Sequence, residues 1–211
     1  VISPLISLME NQIQALTLLG IDAACFHSNL SPAKKKKVTD AIEAGELKLL
    51  YVAPETVLSG YFSRLIKNLH VRLIAVDEVH CVSQWGHEFR PEYQGIAVLR
   101  DQFPTATWVG LTATADQRVQ VDVKEKLGMV DPLTFVSSFD RPNIKYAMTP
   151  RIGNGQQQML DWISKYHPQD TGIVYCPRQK DVDKFSDFLE KKGFCALPYH
   201  GGMSAVARSK H

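Results

Sequence analysis

Short apolar runs set the strongest constraint on what this chain can fold into. Leu47 to Val52 (LKLLYV) is stopped by Ala53-Pro54, Leu73 to Val76 (LIAV) by Asp77-Glu78, and Trp108 to Leu111 (WVGL) by Thr112. Phe135-Val136 is a weaker fourth run, and Gly172 to Tyr175 (GIVY) is a fifth, closed by Cys176-Pro177. Continuous apolar runs of this length are the pattern of strands covered on both faces, as in a parallel sheet. The gaps between them hold apolar residues at helical spacing. Helices are predicted from Ser7 to Leu19, from the Ser31-Pro32 cap to Gly45, from Val57 to Asn68, from Ala115 beside Asp116 to Leu127, and from Asp181 to Lys192. Ser followed by Pro is a helix start, and Gly20, Gly45, Gly128 and Gly193 are stops. Strand and helix in alternation, with right-handed crossovers, give a doubly wound α/β fold built on a parallel sheet.

Composition removes several classes. Of 211 residues, 45% are apolar and 22% charged, close to an ordinary globular chain and unlike disordered, collagen-like or coiled-coil sequences. The 24 Lys and Arg nearly balance the 22 Asp and Glu, for a net charge of +2. That balance neither demands a nucleic-acid partner nor excludes one, because a basic groove fits on a neutral protein. Cys25, Cys81, Cys176 and Cys195 form no CxxC pair, so no zinc is expected. Their scatter suits reduced thiols in a cytoplasmic or nuclear protein. No run approaches the roughly 20 apolar residues of a membrane span, and no membrane partner is expected. The opening VISPLISLMENQ has no Met and no basic segment, so the chain is expected to begin inside a larger protein.

Near residues 137–155 the rhythm of strand and helix gives way to the polar SSFDRPNIKY and to RIGNGQQQ. This places a first domain over 1–137, a linker over 138–155 and the start of a second domain over 156–211. The last stretch holds one clear strand and one clear helix. It buries too little surface to stand as a doubly wound domain, and it is expected to continue past His211.

The chemistry-bearing residues cluster at strand ends. In LIAVDEVH an apolar strand delivers Asp77 and Glu78 at its carboxyl end, where α/β sheets bind ligands. In nucleotide hydrolysis a first carboxylate there holds Mg²⁺ and a second orients and deprotonates water. Acidic residues also close many strands with no such role, and on this tetrapeptide alone that is the commoner case. LTATA follows another apolar run, and the Thr112 and Thr114 hydroxyls are placed to bond the carboxylates or report their state. Thr is equally an ordinary strand-end or cap residue. In CVSQWGHEFRPEY, Trp85, Phe89 and Tyr93 stand close to His87 and Arg90. Aromatic faces stack on bases and Arg meets phosphates, which suits a single strand. The same aromatics would serve as core under a long loop. Lys34 to Lys37 read as a solvated helix face. His87-Glu88 lacks the second His of a zinc protease helix, and His200-Gly201-Gly202 suits a close approach to a ligand and a plain turn equally well.

In order and together, SPLISLMENQ, YVAPE, DEVHCVSQWGHEFRPEY, LTATA, SFDRPNIKY and GIVYC resemble the RecQ family of ATP-dependent DNA helicases, in helicase superfamily 2. The resemblance covers nearly the whole chain. Its most discriminating part, HCVSQWGHEFRPEY, is similar to the aromatic-rich loop that separates RecQ proteins from DEAD-box relatives. The resemblance implies two RecA-like domains with ATP in the cleft between them. It implies that Asp77 binds the Mg²⁺ of ATP, that Glu78 is the catalytic carboxylate, and that His80 links the nucleotide site to a DNA-sensing loop. Trp85, His87, Phe89 and Arg90 would sense single-stranded DNA, and Thr112 and Thr114 would form the coupling motif. Ser3 and Pro4, with Tyr51 to Glu55, would lie along the DNA path, and Arg141 and Asn143 in the hinge. The implied activity is unwinding of duplex DNA in repair and recombination. Its implied partners are single-stranded and branched DNA and other DNA repair proteins.

The chain departs from the family pattern in places. DEVH stands where DEAH is usual, so Val79 replaces a small Ala; Glu88 stands where Asp is commoner; and Pro177-Arg178-Gln179 stands where the family has a Ser-Arg pair, so the resemblance does not carry a DNA-binding role onto Arg178. No GxxxxGK[ST] occurs, so the phosphate cradle is expected upstream of Val1 and the arginine finger beyond His211. Two other readings stay open: a DEAD-box-like RNA helicase, and a single-strand-binding module that does not hydrolyse ATP. The presence of Asp77, Glu78, Thr112 and Thr114 favours an enzyme, because a pure binder does not require them.

Overall fold

The computed structural model describes residues 1–210 apart from Phe139 and Asn154, which lie outside the described residues. Two compact units follow one another along the chain, Val1–Val136 and Ser137–His211.

The first unit is built on parallel strands. β1 (Ala23–Phe26) pairs with β2 (Leu49–Val52), with Ala23 opposite Leu49 and Phe26 opposite Val52. β3 (Leu73–Val76) pairs with β4 (Thr107–Gly110), with Leu73 opposite Thr107 and Val76 opposite Gly110. The first residues of the chain join these ladders. Ile2 bridges in parallel to both Val52 and Val76. Its N–H donates to the Ala75 carbonyl at 2.8 Å, and its carbonyl accepts from Asp77 N–H at 2.8 Å. On the other side Ser3 N–H donates to the Val52 carbonyl at 3.1 Å. The order is thus β1, β2, the Val1–Ser3 segment, β3, β4. Because every pairing is parallel, Ser3, His27, Ala53, Asp77 and Leu111 all emerge at one edge of the sheet.

The helices of this unit are α1 (Ile6–Leu18), α2 (Pro32–Glu43), α3 (Pro54–Val57), α4 (Gly60–Ile66), α5 (Pro91–Gly95), α6 (Leu99–Gln102) and α7 (Gln117–Lys126). The predicted caps form. Ser31 Oγ accepts from Lys34 N–H ahead of α2, and an Asp116 carboxylate oxygen accepts from Val119 N–H at 2.8 Å ahead of α7. The helix predicted over 57–68 is broken, because Ser59 caps a new start by accepting from Phe62 N–H at 3.2 Å. Lys36 pairs with Asp40 one turn on at 2.9 Å, as expected of a solvated face. The core joins Ile2, Val52, Ile74 and Val76 of the sheet to Phe62 and Val123 of the helices. Strand β4 is less covered than its apolar pattern predicted: Val109 is 38% exposed, since β4 has a neighbour on one side alone among the described residues. Phe135-Val136 forms no strand, and Phe135 is 89% exposed.

The second unit carries α8 (Gln156–Tyr166), α9 (Gln179–Glu190) and α10 (Ala205–Lys210). Helix α8 was not anticipated, although its three Gln are good helix formers. The predicted strand Gly172–Tyr175 does not form. An apolar run becomes a strand only where a neighbour accepts its backbone hydrogen bonds. None pairs with it among the described residues, and Tyr175 is 90% exposed.

Candidate functional site

The site forms where β3 and β4 end. Asp77 leaves β3 held on both carboxylate oxygens: Ser3 Oγ donates to one at 3.0 Å and Glu78 N–H to the other at 3.0 Å. The Tyr93 hydroxyl donates to the Asp77 carbonyl at 3.1 Å, and Tyr93 is fully buried. Burial pushes the Tyr93 phenol well above its ordinary range, so it remains a donor. Ser3 was expected along a nucleic-acid path; the structure buries it and puts its hydroxyl on Asp77. Pro4 follows, half-buried, at the same edge of the sheet.

Glu78 turns the chain sharply, with φ 48° and ψ 43°. A non-glycine residue in this left-handed region carries a cost of order 1–3 kcal/mol, and such positions concentrate at functional sites. After it a 3₁₀ turn, Val79–Val82, packs on α7. Val79 N–H donates to the Leu111 carbonyl at 2.9 Å, which ties the end of β3 to the end of β4. The larger Val79 is accommodated by its neighbour, since a Cβ on Gly110 would stand 3.2 Å from a Val79 methyl.

His80 is the hub. Its side chain is 3% exposed, and Nδ1 lies 2.8 Å from Thr112 Oγ1 and 3.2 Å from Glu78 Oε2. A carboxylate only accepts, so the Glu78 contact places the ring proton on Nδ1. Burial lowers the His80 pKa, His87 pushes the same way, and Glu78 opposes both. The imidazole is therefore neutral at pH 7. Thr112 also accepts from Thr114 N–H at 3.2 Å. The threonines were expected near the carboxylates. Thr112 meets the His80 ring nitrogen that also faces Glu78, and so reaches that carboxylate through the ring.

The other face of His80 meets the aromatic-rich loop. The His80 and His87 rings stack with centroids 4.4 Å apart and planes 18° apart. The loop doubles back closely enough that only glycine fits at 86, because a Cβ there would stand 2.6 Å from the His80 carbonyl. Arg90 pairs with Glu88 at 2.5 Å and lowers the Glu88 pKa, and Arg90 N–H donates to the Cys81 carbonyl at 3.0 Å. Phe89 is half-buried, whereas Trp85 is 58% exposed and so is not core. One face of Trp85 carries the Arg118 guanidinium, 3.3 Å from the ring centroid. Arg118 lies in the first turn of α7, and no local pattern marked it. His80, His87 and Glu88 each offer a donor atom within 4.8 Å of the others, but Glu88 is held by Arg90. The hard oxygen donors of Asp77 suit Mg²⁺, and each keeps a lone pair beyond its one hydrogen bond.

A parallel sheet with an acidic pair at one strand end, joined through a histidine to a threonine at the next, is the arrangement of a helicase-type α/β domain. The family model of the DEAD/DEAH box helicases matches residues 1–122, more than half of the chain, and the chain belongs to that family. Within it, the similarity runs to RecQ proteins. The chain is 39% identical over 210 residues to the ATP-dependent DNA helicase RecQ of Haemophilus influenzae, covering 100% of this chain and 34% of the relative. It is 41% identical to the RecQ-like DNA helicase BLM of Xenopus laevis, covering 97% of this chain and 16% of the relative. It is 42% identical to a putative ATP-dependent DNA helicase Q1 of Caenorhabditis elegans, covering 99% of this chain and 35% of the relative. The chain thus spans at most about a third of the length of these relatives. Among solved structures, Mycobacterium smegmatis helicase Lhr bound to ssDNA and AMP-PNP matches with a TM-score of 0.64 at 18% identity, over 99% of this chain and 31% of that one. The Pyrococcus furiosus Hef helicase domain matches at 0.50 and 17% identity, over 92% of this chain and 43% of that one. The fold is the RecA-like α/β fold of helicases.

Proposed function

We propose that this chain is part of a RecQ-type helicase that couples hydrolysis of Mg-ATP to movement along single-stranded DNA and to unwinding of duplex DNA, in repair and recombination. The single observation that carries the coupling is His80, whose Nδ1 faces Glu78 and Thr112 while its ring stacks on His87 of the aromatic-rich loop. One side chain touches both Glu78 of the acidic pair and the loop. DNA rather than RNA is favoured by the relatives, which are named DNA helicases. A domain over 1–137, a linker over 138–155 and the start of a second RecA-like domain over 156–211 complete the proposal.

The geometry supports the following roles. Asp77, fixed by the Ser3 hydroxyl and the Glu78 N–H, would hold Mg²⁺ directly or through water. The ion would supply charge stabilisation at the transferred phosphoryl group. Glu78 would orient the attacking water and accept its proton. Thr112 and His80 would hold the Glu78 carboxylate in place. Trp85, Phe89 and Arg90 would meet the strand.

Trp85→Ala in a full-length helicase carrying these residues tests this reading. Phosphate contacts elsewhere dominate affinity, and one stacked base contributes roughly 1–3 kcal/mol. DNA affinity should stay within about tenfold of wild type, or about 1.4 kcal/mol. DNA-stimulated ATPase and unwinding should fall much further. The measurements are oligonucleotide anisotropy and ATPase with and without DNA at one salt concentration. Unchanged stimulation would overturn the reading.

A further inference from the structure

Arg118 occupies one face of the exposed Trp85 ring. Its guanidinium covers the Trp85 ring at 3.3 Å from the centroid. A guanidinium is flat and delocalised and stacks on an indole as a nucleobase does. Trp85 stays 58% exposed, so the pair sits in an open groove that Val121, Asp122 and Glu125 also line.

The position of Arg118 along the chain gives this contact a consequence. Arg118 is two residues past Asp116, whose carboxylate caps α7, and four past Thr114. Thr114 N–H donates to Thr112, which faces His80. The Arg118–Trp85 stack therefore clamps the aromatic-rich loop to the helix that begins just after the threonine segment. The His80–His87 stack ties the same loop to the 3₁₀ turn Val79–Val82, which itself packs on α7.

We propose that Arg118 is a further residue of the single-strand site: it holds the Trp85 face until a base displaces it, and its release unclamps the loop from α7. This rests on the reading of Trp85 as a base platform. The released guanidinium has carboxylate partners in the groove. Asp122 is one turn along the same helix, a spacing at which side chains meet. Arg118 thus competes with bases and does not serve as a phosphate contact.

The test uses the full-length protein with Arg118→Ala and Arg118→Gln, each also combined with Trp85→Ala. The probes are a base-bearing single-stranded oligonucleotide and an abasic strand of equal length. Affinity is read by anisotropy across a salt series. Quenching of Trp85 emission is read as the difference between proteins with and without Trp85. Losing the competing stack should tighten binding of the base-bearing strand by about threefold to tenfold. Abasic binding and the salt slope should not change, and in the Trp85→Ala background the gain should vanish. Weaker binding with a salt slope reduced by about 1 would make Arg118 a phosphate contact and overturn the proposal. Unchanged affinity with the Trp85 quench intact would overturn the clamp and leave the base-platform reading standing. If DNA quenches none of the Trp85 emission, the platform reading itself fails, whatever Arg118 does.

Discussion

His80 Nδ1 lies 2.8 Å from Thr112 Oγ1, joining the residues that follow β3 to those that follow β4. The two residues are 32 positions apart in the chain. Parallel pairing of Val76 with Gly110 brings both strand ends to the same level, and the bond follows from that register. It leaves Glu78, 3.2 Å away, sharing the same ring nitrogen.

Removing the hydroxyl should separate coupling from folding. Thr112→Val keeps the shape and removes one of the two acceptors on the buried imidazole N–H, a loss of about 0.5–1.5 kcal/mol because Glu78 still accepts. In a full-length helicase, DNA-stimulated ATPase should drop well below the level seen with Thr112→Ser, which retains the hydroxyl. Thermal melting and ATPase on both variants check this, and equal rates for Val and Ser would remove Thr112 from the coupling path.

The two carboxylates should fail differently. Glu78→Gln keeps the contact geometry and cannot accept a proton from water, so nucleotide binding should persist while turnover collapses. Asp77→Asn should lower the Mg²⁺-dependent affinity for nucleotide as well. Nucleotide titration with and without Mg²⁺, beside steady-state rates, distinguishes them. Normal turnover in Glu78→Gln would show that Glu78 is not the base.

Stability should fall in mild acid. Burial lowers the pKa of both His27 and His80 from the ordinary 6.5. A group with a depressed folded pKa is neutral in both states above 6.5 and costs nothing there. Below 6.5 the unfolded chain takes up the proton first, so stability is lost as pH falls through the folded values. The melting temperature should therefore hold above about pH 7 and drop toward about pH 5. His27 is 4% exposed, and neither ring nitrogen has a hydrogen-bond partner among the described residues. His27→Leu should flatten part of this slope without lowering the melting temperature at pH 8. An unaltered slope would assign the effect elsewhere.

Gly110 and Val79 should show coupled packing. A Cβ at 110 would press on the Val79 methyls at 3.2 and 3.3 Å. Overpacking of this kind costs roughly 1–3 kcal/mol. Gly110→Ala should destabilise the chain, and adding Val79→Ala should recover much of the loss. Denaturant unfolding of both single variants and the double checks this, and simple additivity would refute it.

Local physics made much of this molecule legible in its sequence. The run LIAV became β3 with the expected limits, Ser31 and Asp116 became helix caps, and Asp77-Glu78 emerged at a strand's carboxyl edge. Each depends on neighbours within a few residues: apolar continuity, a side-chain oxygen near a free N–H, a polar stop. Strand β1 escaped because AACF has weak strand formers, and the chain was committed there by pairing with β2. The GIVY run misled for the converse reason, since its apolar content found no partner strand among the described residues. The site divides along the same line. Residue types and spacing determined which side chains carry the chemistry. The contacts of Ser3 with Asp77, His80 with Thr112 and His87, and Arg118 with Trp85 were decided only by the tertiary structure. His80 and His87 are neighbours within one loop, but the other three contacts join segments far apart in sequence, and their distances exist only once the parallel sheet has set the strand ends at one edge.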